Sequence, residues 1–146
     1  MNRRDANKTI AASVAALASG QTLAQNAPQP VRITELAKLT EVWSDAEFRF
    51  LNQPSLLVRV PVPREAGPRV LRVSDAVALT AYSRLCTHSG CLVPLPDRQQ
   101  NIECGCHGSR FKADGSLVAG PAFEPLRAIR LEVQGGVVFA LGFLEG

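Results

Sequence analysis

The sequence predicts an all-β protein of many short strands, a sandwich or a barrel. Three observations carry that reading. Apolar residues come in short runs or loose alternation instead of at helical spacing. The 11 glycines and 10 prolines fall largely between those runs, where turns are needed. Beyond residue 30 no segment of helical period exceeds about ten residues.

The elements follow in order. Ile33–Leu39 (ITELAKL) predicts a single helical turn. Glu41–Leu51 alternates loosely, and Leu56–Val60 (LLVRV) is a short apolar strand. Pro61–Arg69 is a loop, because three prolines and a glycine deny it regular hydrogen bonding. Val70–Val73 and Ala76–Ser83 (AVALTAYS) are strands, the second running straight into a loop crowded with cysteine and histidine. Leu92–Asn101 is turn-like, and Ile102–Glu103 is a short return strand into a second such loop. Ser109–Val118 is a hairpin with Asp114-Gly115 at its turn. Ala128–Val133 and Val137–Leu144 flank Gln134-Gly135-Gly136 as a closing hairpin. There is no internal repeat, although the two loops imitate each other.

With 146 residues, 46% of them apolar, the chain has enough length for one buried core and not for two. Its formal charge is +3, of which Arg3, Arg4 and Lys8 against Asp5 contribute +2, leaving +1 for the remainder. No basic patch interleaved with aromatics exists, so nucleic-acid binding has no support. Residues 1–30 read as targeting sequence. A basic start precedes an uncharged, Ala-rich run from Thr9 to about Leu23, and a small-residue, proline-containing stretch closes it. The paired Arg3-Arg4 favours the twin-arginine export route, which carries folded proteins to the periplasm. The run is too weakly apolar for a firm transmembrane helix, so membrane association through the N-terminus is left open as an anchor. Residues 31–146 form the folded domain.

All four cysteines and both histidines sit in the two loops, CTHSGC (Cys86–Cys91) and CGCHGS (Cys104–Ser109). A structural zinc takes four N/S ligands, and C-x-H with C-x-x-H would supply them, but one cysteine per loop is left over. Two disulfides would use the sulfurs and leave the histidines unexplained. A thioredoxin-like C-x-x-C is absent. A binuclear iron cluster taking one Cys and one His from each loop uses all six groups, provided the remaining cysteine pair bridges the loops.

The pattern C-T-H-x-G-C … C-x-C-H-G-S resembles the Rieske [2Fe–2S] proteins closely from Tyr82 to Ala122 and by general pattern in the flanking strands. The resemblance implies an antiparallel β-sandwich with a small cluster-binding subdomain, at about 82–122, formed by the two loops. It also implies one cluster per chain, with Cys86 and Cys104 on one iron and His88 and His107 on the solvent-facing iron. It further implies a Cys91–Cys106 disulfide pinning the loops, which suits a compartment outside the reducing cytoplasm. Replacing two thiolates by neutral imidazoles makes the cluster less negative. Potentials then span about −150 to +300 mV, against about −400 mV for plant-type all-cysteine clusters. An incoming electron also makes the imidazoles more basic, which suits a donor of electrons and protons such as a quinol. By the same resemblance Ser109 would donate a hydrogen bond toward a bridging sulfide, and Gly120-Pro121-Ala122 would cover the cluster. High-potential members place a tyrosine where this chain has Phe111, which cannot donate, so a lower potential is expected.

Ring-hydroxylating oxygenases need a further two-histidine, one-carboxylate iron site, and both histidines here are taken. The chain therefore reads as an electron-transfer subunit of an oxidoreductase, with no substrate-transforming site of its own. The first home is the Rieske subunit of a cytochrome bc-type quinol-oxidising complex, although Ser89 stands where those subunits usually carry an apolar residue. The alternatives are the small subunit of a periplasmic molybdenum oxidoreductase such as arsenite oxidase, and a free-standing periplasmic carrier. The implied partners are a cytochrome b/c1-type or molybdopterin catalytic subunit and a c-type cytochrome acceptor. A structural zinc or disulfide domain is the alternative outside electron transfer.

Overall fold

A computed structural model describes residues 29–65 and 67–145, so the export segment and its paired arginines lie almost wholly outside the described residues. Among the described residues, ten strands make three antiparallel sheets. The first has the order β1 (Val31–Glu35), β10 (Val137–Phe143), β9 (Ile129–Gln134). The middle sheet runs β2 (Asp45–Phe50), β3 (Gln53–Val60), β5 (Ala78–Ser83), β4 (Leu71–Arg72). The third is β6 (Asn101–Glu103), β7 (Arg110–Lys112), β8 (Leu117–Ala119); the first Cys/His loop lies between β5 and β6, and the second joins β6 to β7. Among the described residues no helix is long and apolar enough to cross a membrane.

The middle sheet is covered on both faces, which is why β3 and β5 read as near-continuous apolar runs. On one face Leu57 of β3, and Leu79 and Ala81 of β5, pack with Phe50, Ile129, Leu131, Val138 and Ala140. On the other, Leu56, Val58 and Val60 of β3, with Ala78 and Tyr82 of β5, pack against Cys86, Ile102, Cys104, Phe111 and Leu126. Period-two alternation thus sends alternate side chains to two different cores. The second core is shared between the sheet and the loops.

The two hairpins with glycine turns fall where the sequence places them. Gly135 (φ 56) and Gly136 (φ 76) both take the left-handed conformation of a tight hairpin. At the Asp114–Gly115 turn, Asp114 Oδ1 accepts from the Ser116 amide (2.9 Å) and hydroxyl (2.6 Å). Elsewhere the boundaries move. The helical turn expected over Ile33–Leu39 shrinks to a 3-10 turn at Leu36–Lys38, because Thr34 and Glu35 pair with Val138 and Val137. The strand expected from Glu41 starts only at Asp45. Trp43 turns with φ 76, its amide donates to the Arg59 carbonyl (2.6 Å), and Ser44 Oγ caps the Glu41 amide. Strand β3 begins at Gln53, since Leu51 (φ 46) and Asn52 (φ 64) close a tight hairpin without glycine.

Tyr82 joins the third sheet to the middle one. It is fully buried, and its hydroxyl donates to the Ala113 carbonyl at 2.6 Å. Burial first, then the Asp114 and Asp45 carboxylates, holds the phenol well above its ordinary range, so it stays a neutral donor. Gly115 lies against its ring: with φ 84, an added Cβ would sit 2.9 Å from Tyr82 Cδ2. Gly115→Ala is therefore expected to lower stability by about 2 kcal/mol through combined backbone strain and overlap. The urea unfolding midpoint measures it, and an unchanged midpoint would contradict this packing.

Candidate metal centre

The two Cys/His loops share one backbone frame. In the first, the Cys86 amide donates to the Cys91 carbonyl (2.7 Å) and the Gly90 amide to the Cys86 carbonyl (2.8 Å). In the second, the Cys104 amide donates to the Ser109 carbonyl (2.8 Å) and the Gly108 amide to the Cys104 carbonyl (2.9 Å). Gly90 and Gly108 occupy the same position in each turn with φ of 80 and 79, a conformation that disfavours any side chain. The imitation visible in the sequence is thus a repeated turn. Arg84 fixes the entry to the first loop. Its guanidinium donates to Glu47 Oε1 on β2 and to the Val93 carbonyl, both at 2.9 Å, and so ties both ends of the loop to the middle sheet.

The frame sorts the donor groups by depth. Cys86 and Cys104 are free thiols buried in the core beside Phe111 and Tyr82. His88 and His107 are exposed, their rings 4.8 Å apart and nearly perpendicular. Cys91 and Cys106 are joined by a disulfide with Cα atoms 6.5 Å apart, the pairing the resemblance implies. Among the described residues no three His, Cys, Asp or Glu side chains converge as they would around a single ion. The arrangement is an inner thiol pair under an outer imidazole pair, suited to two metal ions that each take two protein ligands.

A third loop completes the site and is tied to both others. The Ala122 amide donates to Ser109 Oγ at 2.9 Å, and Thr87 Oγ1 donates to the Glu124 carbonyl at 2.7 Å. Gly120 and Pro121, joined by a cis peptide bond, form the exposed crest of this loop. Ser109 is fully buried, and its oxygen already accepts. Among the described residues its hydroxyl proton has no protein acceptor, an expensive state unless something else receives it. The inorganic sulfide of an iron–sulfur cluster held by the two loops would be such an acceptor. The soft donors, their pairing and this unspent proton fit a [2Fe–2S] cluster.

The family model of the Rieske [2Fe-2S] domain matches residues 34–130. The chain belongs to this family. Its cofactor is the Rieske-type [2Fe–2S] cluster. The cytochrome b6-f complex iron-sulfur subunit of Chlorobaculum tepidum is 36% identical over 70 residues, which cover 48% of this chain and 39% of that protein. Among solved structures, the plasma membrane Rieske protein of Synechocystis PCC 6803 superimposes with a TM-score of 0.55 at 24% identity, covering 75% of this chain and 97% of that one. Naphthalene 1,2-dioxygenase gives 0.59 at 15% identity, covering 79% of this chain and 26% of that one. A plasma membrane Rieske protein and a dioxygenase thus share the fold, and fold alone does not separate functions.

Three residues of the site carry no part in the motif-based reading. Thr87 lies inside the motif, but its role depends on a carbonyl 37 positions away. Arg84 is one of several arginines, and only the distant Glu47 marks it. Phe123, two positions after Pro121, is nearly fully exposed, where an aromatic residue is expected inside.

Two substitutions test the surroundings of the thiols. A donor toward the cluster favours the more negative, reduced form and raises the potential. Ser109→Ala removes one and is expected to lower the midpoint potential by roughly 60 mV, the one-electron equivalent of about 1.4 kcal/mol. Phe111, buried in the same core as both thiols, offers no donor, so Phe111→Tyr is expected to raise the potential. Redox titration reads both, and a fall in the tyrosine variant or no change in the alanine variant would contradict the assigned roles.

Proposed function

We propose that this chain transfers single electrons as the Rieske subunit of a cytochrome bc-type quinol-oxidising complex. In this reading Cys86 and Cys104 hold the inner iron, and His88 and His107 hold the outer one. When bound, the cluster takes up and releases one electron at a potential raised by its neutral ligands. The observation that carries the reading is the placement of the two imidazoles. They are exposed side by side above buried thiols, so a partner touching the tip meets ligand edges and not protein bulk. The remaining residues exclude water from the inner thiols, hold the loops in register and present that edge.

The chemistry of the tip supports a partner that is itself uncharged there. Cys86–Cys91, Cys104–Ser109 and Gly120–Phe123 contain no Lys, Arg, Asp or Glu, and Leu92 and Phe123 are exposed beside them. An iron-bound imidazole edge in such surroundings suits a quinol, which gives up a proton with its electron. Relatives that carry the name cytochrome b6-f iron-sulfur subunit support the same home. The disulfide supports a periplasmic location, reached by the twin-arginine route that Arg3-Arg4 suggests.

One observation favours the second reading, a small subunit of a molybdenum oxidoreductase. Ser89 places a hydroxyl at the tip, 3.3 Å from His107 Nδ1, where quinol-complex subunits usually present an apolar group. The two readings part in one experiment. In membranes containing the chain, reduced ubiquinone or menaquinone analogues are expected to produce the Rieske EPR signal, and the chain is expected to co-purify with a cytochrome b subunit. Co-purification with a molybdopterin subunit, and a cluster that no quinol reduces, would overturn the quinol assignment.

A further inference from the structure

Arg84 buries a charge beyond what closing the first Cys/His loop requires. It stands two residues before Cys86, at the base of that loop. Backbone bonds already hold the base together. The Val93 amide donates to the Arg84 carbonyl (2.8 Å), the Arg84 amide to the Pro54 carbonyl (2.7 Å), and Leu85 pairs with Leu92. A neutral side chain would leave all of these in place. The guanidinium is costly by comparison. Its side chain is only 13% exposed, and its Nε is buried with no hydrogen-bond partner among the described residues. The charge is also one-sided. Its one ion-pair partner among the described residues, Glu47, lies at 2.9 Å but is 60% exposed, so water screens the carboxylate far more than the guanidinium. On the inner side the guanidinium donates to the Val93 carbonyl at 2.9 Å, and Val93 packs in the core that holds both free thiols. The positive charge reaches that core: at the Tyr82 phenol it opposes the Asp114 and Asp45 carboxylates.

We propose that Arg84 raises the reduction potential of the centre through its charge, as a poorly screened cation held against the core that surrounds Cys86 and Cys104. The centre gains one negative charge when it accepts an electron, and a cation in a weakly screened place favours that form. Glu47 acts in the opposite sense, and weakly, because it is the solvated member of the pair. Arg84 is not a ligand, so its influence passes through space and not through a bond to iron. This rests on Cys86 and Cys104 as ligands of the inner iron. It is independent of whether a quinol or a molybdenum subunit supplies the electron.

The test is a mediated redox titration of the full-length, cluster-bearing chain as wild type, Arg84→Met, Arg84→Lys and Glu47→Gln. It is run at about 10 mM and about 500 mM salt, with cluster content read by EPR. Arg84→Met is expected to shift the equilibrium toward the oxidised form by about threefold at both salt concentrations, roughly 30 mV for one electron. Arg84→Lys keeps the charge without the planar fork and is expected to recover at least half of that shift. Glu47→Gln keeps an acceptor for Arg84 and is expected to favour the reduced form at low salt only. A wild-type potential in Arg84→Met would overturn the proposal. So would an Arg84→Lys potential as low as that of Arg84→Met, or a fall in Glu47→Gln, since either would make Arg84 a clamp and not a charge. If Arg84→Met assembles no cluster, Glu47→Gln decides alone. A rise at low salt that vanishes at high salt then supports the proposal, and an unchanged potential overturns it. The quinol reading stands or falls separately, on the identity of the reductant.

Discussion

The Cys91–Cys106 bridge is the constraint on which the tip depends, because it holds two short loops face to face at the end of a sheet too small to do so alone. Strands β6, β7 and β8 have three residues each, and such a sheet is marginal without support. The bridge spans 15 residues of sequence, and closing a loop of that size contributes about 3 kcal/mol against the unfolded chain. The rest of the support comes from the core shared with the middle sheet. There Tyr82, Phe111 and Leu56 surround the two free thiols, so the groups assigned to the inner iron also belong to the hydrophobic core. Stability of the subdomain and shape of the metal centre are one property here.

The depth ordering of the ligands follows from the same packing. The first cysteine of each loop follows within three residues of a strand, β5 ending at Ser83 and β6 at Glu103, and it stays buried. Each histidine lies two or three residues further along a turn that has already left the sheet, and it faces water. A cluster held there would meet a partner through the imidazoles, while the core keeps water from the thiols. The third loop closes the remaining side with a single hydrogen bond to each of the other two. A change in that loop reaches Ser109 through the Ala122 amide, and the Ser109 hydroxyl would pass it to a bound cluster without involving any ligand.

Much of this was legible in the sequence, and the gaps have physical causes. The apolar runs of β3 and β5, the Asp114-Gly115 turn and the Gly135-Gly136 turn show their local chemistry directly, and each is where it was expected. The hairpin at Leu51-Asn52 has no glycine and left no mark, which is why β3 was read as beginning at Leu56. Ile33–Leu39 has helical spacing, but pairing with β10 claims its first residues. In the metal centre the composition of the loops was unmistakable. The division of four cysteines between iron and disulfide came only with the family resemblance, since spacing alone allowed zinc. Thr87 and Arg84 act on groups remote in sequence, so no local pattern reveals them.

The central claim is that the exposed imidazole pair and the buried thiol pair hold one [2Fe–2S] cluster between them. Pulsed EPR on the reduced protein, with ¹⁵N introduced only through histidine, tests it most directly. The account predicts two strongly coupled histidine nitrogens on one iron, and the loss of that pattern when either His88 or His107 is replaced. A reduced cluster showing no strongly coupled histidine nitrogen, or one unaltered by replacing His107, would contradict it.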